Sequence, residues 1–127
     1  MAEDTRLFDE MFEESTDPAF LMDPVDDRII DANPAGCRLL GYTRDEILRV
    51  TVTDIHPAEM SQLRTFLERA LHDGQASSTT FTCRTKSGTF LPTEISLYVV
   101  HGGGRRYVLG LVQDRSEHRG AAQSADS

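Results

Sequence analysis

Lysine is almost missing from this chain: Lys86 stands alone beside twelve arginines. Acidic residues outnumber basic ones by 21 to 13, for a formal net charge of -8. That balance excludes nucleic-acid contact as the main task, because a phosphate backbone is held by surplus positive charge. Arginine bias with acidic excess fits a GC-rich or salt-tolerant source. Cysteine is scarce too. Cys37 and Cys83 fall on apolar faces without C-x-x-C spacing, so buried free thiols in a reducing compartment are expected rather than a disulfide. No histidine pair has metal-ligand spacing, so no metal is expected. No apolar run is long enough to cross a bilayer and no secretory leader is present, so a soluble cytoplasmic protein without membrane contact is expected. The 127 residues, 39% hydrophobic, suffice for one core and one domain.

What the chain does have is organised around Asp31 to Tyr42. Asn33 is suited to cap a helix, and Pro34 then occupies the first helical position, where its missing N–H costs nothing. Cys37 and Leu40 continue an apolar face, and Gly41 can take the left-handed conformation that ends a helix. Thr43 with Glu46 three residues later forms a second start signal, a capping box. A strand over 28–31 therefore runs into two short helices around a glycine corner.

Upstream, residues 5–15 read as an amphipathic helix. Leu7, Phe8, Met11 and Phe12 form one stripe and Asp9, Glu10, Glu13 and Glu14 the other face. The stripe packs either on its own sheet or on a second copy of the chain, with Phe90 and Tyr98 as the receiving surface in the dimer reading. Asp17-Pro18 breaks the helix. Residues 19–22 and 28–31 flank an acidic turn and form a hairpin. Downstream, Thr53 or Asp54 is expected to cap a single turn ending at His56-Pro57, with His56 in a loop. Residues 57–73 keep a helical period through Met60, Leu63, Phe66, Leu67, Ala70 and Leu71. Strands follow over 77–85, 90–100 and 105–113, joined by turns at Lys86-Ser87-Gly88-Thr89 and His101 to Gly104. The expected fold is α+β: a five-stranded antiparallel sheet with short helices and one longer helix on one face, plus the N-terminal flanking helix. The expected divisions are 1–15 for that helix, 16–119 for the domain and 120–127 for a disordered polar tail.

In this order, Asp31-Ala32-Asn33-Pro34-Ala35, Gly41-Tyr42-Thr43-Arg44-Asp45-Glu46-Ile47, Lys86-Ser87-Gly88 and Gly110-Leu111-Val112-Gln113-Asp114 resemble the PAS domain family, over roughly Thr16 to Arg119. Asp114 to Arg119 looks like the exit segment that leads such domains into a coiled coil or an output domain. The resemblance implies a sensory and dimerisation module of a cytoplasmic signalling protein, not a catalyst. The output would be a sensor kinase, a cyclic-dinucleotide enzyme or a transcription regulator. The alternative is a free-standing small-molecule-binding or protein-interaction domain without its own output.

Family members that bind a ligand hold it between sheet and helices, and the resemblance implies three cofactor tests. The adduct-forming cysteine of LOV flavin domains falls on Val52, their flavin-touching glutamine falls on Val112, and Gln113 points to the opposite strand face. A LOV-type flavin is therefore not expected. Neither His56 nor His72 matches the haem-ligand position on the long helix, so haem is not expected either, and His72 reads as a favourable charge at a helix C-terminus. A small apolar ligand stays open. Leu91, Thr93, Ile95 and Leu97 share the strand face towards the helices. Gly110 and Val112 join them, opposite Leu63, Phe66 and Leu67. These nine residues either line a pocket or fill a core, and apolar residues at core period need no ligand.

No catalytic residues are expected. Glu94 lacks a carboxylate partner, and Gly102-Gly103-Gly104 joins two strands rather than forming a phosphate loop. Two further expectations follow from the resemblance. Asp114 ends the last strand and would relay signal to the exit segment. Glu46 and Lys86 would meet within about 4 Å as a surface ion pair.

Overall fold

The local signals of the central stretch are seen directly in a computed structural model, which describes residues 10–56 and 59–116. Leu7 and Phe8, Pro57, and residues 117–127, including the expected tail, lie outside the described residues. Helical residues 10–14 (α1) precede strands β1 (Ala19–Asp23) and β2 (Arg28–Ala32). Helix α2 (Pro34–Leu40) starts at Asn33, whose side chain accepts the Gly36 N–H, and ends at Gly41 with φ 83°. Helix α3 (Arg44–Ile47) carries the complete Thr43–Glu46 capping box. Then come α4 (Val52–Ile55), α5 (Met60–Asp73), β3 (Gln75–Ser78), β4 (Thr82–Arg84), β5 (Phe90–Gly102) and β6 (Arg105–Asp114).

The strands form one antiparallel sheet in the order β2-β1-β6-β5-β3, with β4 also paired to β5. The stretch expected as one strand over 77–85 is thus two pieces along the same edge of β5. Ser77 pairs with Ser96 and Cys83 with Leu91. The break has a local cause. Ser78 Oγ accepts the Thr80 N–H and meets Thr80 Oγ1 at 2.8 Å, a side-chain turn that competes with the ladder. Phe81 then turns its ring into the core, stacked on Phe66 at 5.2 Å.

Two further differences concern α4 and its end. The cap is Thr51, not Thr53 or Asp54: Thr51 accepts the Asp54 N–H while Asp54 accepts the Thr51 N–H. The α4 start is tied to the β1–β2 turn, because Asp27 accepts from the Thr53 hydroxyl at 2.7 Å and from its N–H at 3.3 Å. The long helix begins at Met60.

The core lies between the inner sheet face and the helices. Ile29, Leu40, Ile47, Ile95, Leu97, Val108 and Val112 are buried within it. The alternation expected along β5 is observed: Thr93, Ile95 and Leu97 are buried, whereas Phe90 and Tyr98 are exposed. Cys37 and Cys83 are buried free thiols. The residues of the N-terminal stripe that are described part company, with Phe12 8% exposed and Met11 65% exposed.

Candidate functional site

A cavity of about 430 Å³ opens between the sheet and α4–α5, within the range of small-molecule sites. The sheet contributes Phe20, Met22, Ile29, Ile95, Leu97, Gly110 and Val112, and the helices contribute Leu40, Val52, Ile55, Met60, Leu63 and Leu67. The cavity borders the core rather than replacing it: Ile29, Leu40, Ile95, Leu97 and Val112 are buried in the core and also line the cavity. Gly110 is one reason the space is open. It has no side chain at a mid-strand position where a Cβ would stand in ordinary van der Waals contact, 3.4 Å from Met22 Cε and 3.5 Å from a Leu97 methyl.

Six of the nine residues expected to line a pocket do so: Leu63, Leu67, Ile95, Leu97, Gly110 and Val112. The other three have different duties. Phe66 stacks on Phe81. Thr93 is fully buried and donates its hydroxyl to the Phe81 carbonyl at 2.8 Å. Leu91 lies at the opposite end of β5, in an open groove with Lys86, Arg38 and Asp114. Val52 brings methyl groups to the cavity wall, and Cys37 lies on α2.

The polar groups of the wall escaped sequence reading. His56, expected in a loop, is 6% exposed and lines the cavity. Its Nδ1 lies 2.7 Å from the Thr82 carbonyl oxygen and 3.5 Å from Glu59 Oε1. The neutral ring therefore carries its proton on Nδ1 and leaves a lone pair on Nε2. Nε2 lies 3.9 Å from Cys83 Sγ, and that sulfur is 3.8 Å from Thr93 Oγ1. Burial lowers the His56 pKa against the opposing pull of the Thr82 bond and Glu59. Burial also pushes the Cys83 thiol up to about 12, opposed by its bond with Thr93. Both groups are neutral at ordinary pH. The clue in the sequence is the Thr51-x-x-Asp54 box, which places His56 at the C-cap of α4 and hands the ring to the core.

At the mouth stand Asp23, Pro24, Val25, Asp27 and Arg64. Asp23 is held low chiefly by the Val25 N–H, with help from the Asp26 N–H and from Arg105, whose guanidinium lies 3.1 Å away.

The remaining expected residues lie outside the cavity. Lys86 Nζ meets Glu46 Oε2 at 2.5 Å on the surface. Asp114 Oδ1 accepts the Ser116 N–H at 2.8 Å where β6 gives way to the exit segment. His72 is exposed beside Asp73, 2.8 Å away.

A family model described as PAS domain matches residues 17–117. The chain belongs to the PAS domain family. It is 24% identical over 123 residues to the methyl sulfide methyltransferase-associated sensor of Methanosarcina acetivorans, covering 95% of this chain and 12% of that protein. Over 115 residues it is 24% identical to the sensor histidine kinase TmoS of Ectopseudomonas mendocina, covering 87% of this chain and again 12% of the relative. The chain thus spans about an eighth of the length of these curated relatives. Among solved structures it is similar to a domain of the sensory box sensor histidine kinase/response regulator from Geobacter sulfurreducens. The TM-score is 0.72 and the identity 28%, over 87% of this chain and 94% of that one. As a PAS domain it is a sensory module homologous to the sensor parts of histidine kinases. Among the described residues no helix is long and apolar enough to cross a membrane.

Proposed function

We propose that this PAS domain senses a small apolar molecule in the cavity and relays occupancy to an output domain through the exit segment at Asp114. The output is of the kinds named above, with a histidine kinase foremost because the relatives carry that name. The domain acts as a cytoplasmic homodimer in this reading, with the N-terminal stripe as its contact. The cavity carries the proposal: about 430 Å³ with a wall made mostly of aliphatic and aromatic side chains. An apolar molecule of matching size gains dispersion contacts with that wall.

The test is native mass spectrometry of the purified chain, followed by thermal unfolding against a panel of apolar molecules. An occupant binding only the native state raises stability by about 2.7 kcal/mol at a hundredfold excess over Kd. Gly110→Val places two methyl groups into the cavity and should abolish both the bound mass and the thermal shift while leaving the domain folded. If the wild-type chain shows neither, the cavity is not a ligand site.

A further inference from the structure

We infer that the occupant of the cavity carries one neutral hydroxyl group and that Nε2 of His56 accepts its hydrogen bond. This rests on the reading that the cavity holds an apolar ligand, and it names what that ligand presents.

Among the described residues, the buried polar groups of the cavity wall have fixed duties except at His56 Nε2, while Arg64 stands exposed at the mouth. Asp27 accepts twice from Thr53, and Asp23 accepts from Val25, Asp26 and Arg105. The Thr93 hydroxyl donates to the Phe81 carbonyl. His56 spends its Nδ1 proton on the Thr82 carbonyl at 2.7 Å. That bond fixes the tautomer and leaves Nε2 as a buried acceptor whose neighbour is a thiol sulfur at 3.9 Å. A thiol is a weak donor, so this acceptor is poorly satisfied in a site where an unmade bond is costly. His56 and Cys83 both belong to the cavity wall, so a donor arriving from the cavity meets Nε2 at their junction. It displaces the weak S–H contact, and the thiol keeps its neighbour Thr93 Oγ1 at 3.8 Å.

The buried aliphatic wall beside His56 disfavours charged ligand groups. A carboxylate brings no donor to Nε2, and an ammonium or carboxylate loses its hydration against aliphatic walls. A hydroxyl on an otherwise apolar molecule meets both demands. Discrimination should be modest, because an analogue without the hydroxyl leaves Nε2 with its weak thiol contact.

The experiment is calorimetric titration of the full chain with 4-propylphenol, propylbenzene and 4-propylanisole, the methyl ether being an acceptor without a donor. The phenol should bind roughly tenfold tighter than either of the others. Cys83→Ser sets a stronger donor against Nε2 and should narrow the preference, whereas Cys83→Ala removes the competitor and should preserve or widen it. His56→Phe should erase it. That variant strips the Thr82 carbonyl of its donor and can unfold the chain, so a second measurement uses the native protein. The imidazole ¹⁵N resonance of His56 Nε2 should shift on adding 4-propylphenol and stay put with propylbenzene. Equal affinities for the three probes, or an unmoved Nε2 resonance with bound phenol, overturn the hydroxyl assignment and leave the ligand reading intact. Failure of all three to bind, with no thermal shift from any apolar compound, overturns both.

Discussion

Lys86 and Glu46 are forty positions apart in the chain and in contact on the surface, Nζ to Oε2 at 2.5 Å. Each oxygen of the carboxylate has its own donor, because Oε1 accepts the Thr43 N–H at 2.9 Å within the capping box. The backbone adds a third tie, the Lys86 N–H to the Leu40 carbonyl at 2.8 Å. The β4–β5 turn is thus fastened to both short helices.

This geometry makes an acid-stability prediction. The bond from Lys86, then that from the Thr43 backbone, lowers the Glu46 pKa to about 2 from 4.5. A carboxyl lowered on folding adds stability above its unfolded pKa, and that stability is lost as pH falls through the folded value. Urea midpoints measured between pH 5 and pH 2, a window of roughly this span, should fall less steeply in Glu46→Gln than in the wild type. Lys86→Met should show part of the same flattening, because it loses at neutral pH the share of that stability that the Lys86 bond supplies, a share reduced by solvent screening, and converges on the wild type in acid. A wild-type slope in both variants would remove the pair from the acid response.

His56 gives a second titration of the same sign at higher pH. Burial lowers its pKa from 6.5. The groups facing it are the Glu59 carboxylate, the Thr82 carbonyl and the Cys83 thiol. Its contribution is complete above about pH 6.5, where the unfolded chain is also neutral. Below that, the unfolded chain takes up a proton that the folded chain resists, so stability is lost as the medium acidifies. Denaturant midpoints should be flat above neutrality and decline below about pH 6.5, and His56→Gln should remove that decline. Proton uptake on unfolding at pH 6, followed calorimetrically in buffers of different ionisation heat, provides the independent check.

Asn33 is the residue whose loss should cost the fold most per atom. It is fully buried. Oδ1 accepts from the Ala19 N–H at 2.9 Å and the Gly36 N–H at 2.8 Å, and Nδ2 donates to the Asp17 carbonyl at 2.9 Å. One side chain therefore caps α2 and clips it to the start of β1. Asn33→Ala leaves three backbone groups without partners and should cost roughly 3–5 kcal/mol, read as a lower urea midpoint at an unchanged slope. Asn33→Asp keeps the acceptors but turns a buried charge on the Asp17 carbonyl, and should also destabilise.

The N-terminal stripe needs its two described residues tested separately. Phe12 is buried and Met11 is exposed. Phe12→Ala should lower stability by about 3 kcal/mol whatever the oligomeric state. Met11→Glu should shift the mass seen by light scattering from dimer towards monomer and leave in place the urea midpoint measured at concentrations too low for dimer. An unchanged mass would place any dimer contact elsewhere.

These residues also show where sequence reasoning reaches and where it stops. Asn33-Pro34, Gly41 and Thr43-x-x-Glu46 were readable because caps depend on spacings of three or four residues and on backbone conformations few side chains favour. The inward set on β5 was readable from strand alternation. The cavity was not, because Leu63, Ile95 and Leu97 have the same periodicity whether the space between them is filled or open. His56 was misplaced because the Pro57 beside it signals a loop and the start signal was placed at Thr53 or Asp54 instead of at the box of Thr51 and Asp54. The break between β3 and β4 turns on Ser78 and Thr80 bonding to each other, a choice that composition does not reveal.

The last prediction concerns how a change in the cavity leaves the domain. Asp114 closes β6, pairing in register with Thr93 of β5. Thr93 itself meets Cys83, a cavity-wall residue, through a side-chain contact at 3.8 Å. One residue on, the Arg115 N–H donates to the Pro92 carbonyl at 2.8 Å. The Asp114 carboxylate holds the Ser116 N–H at 2.8 Å, so it fixes the direction in which the chain departs. A shift of β5 against β6 on ligand entry moves that anchor directly. In a full-length protein carrying this domain, Asp114→Ala should uncouple output from ligand while the isolated domain keeps its urea midpoint and its affinity for the ligand. Asp114→Asn retains the acceptor without the charge and should signal close to normally. Normal ligand response in Asp114→Ala would remove the residue from the relay. Loss of response in both variants would assign the effect to the charge rather than to the hydrogen bond.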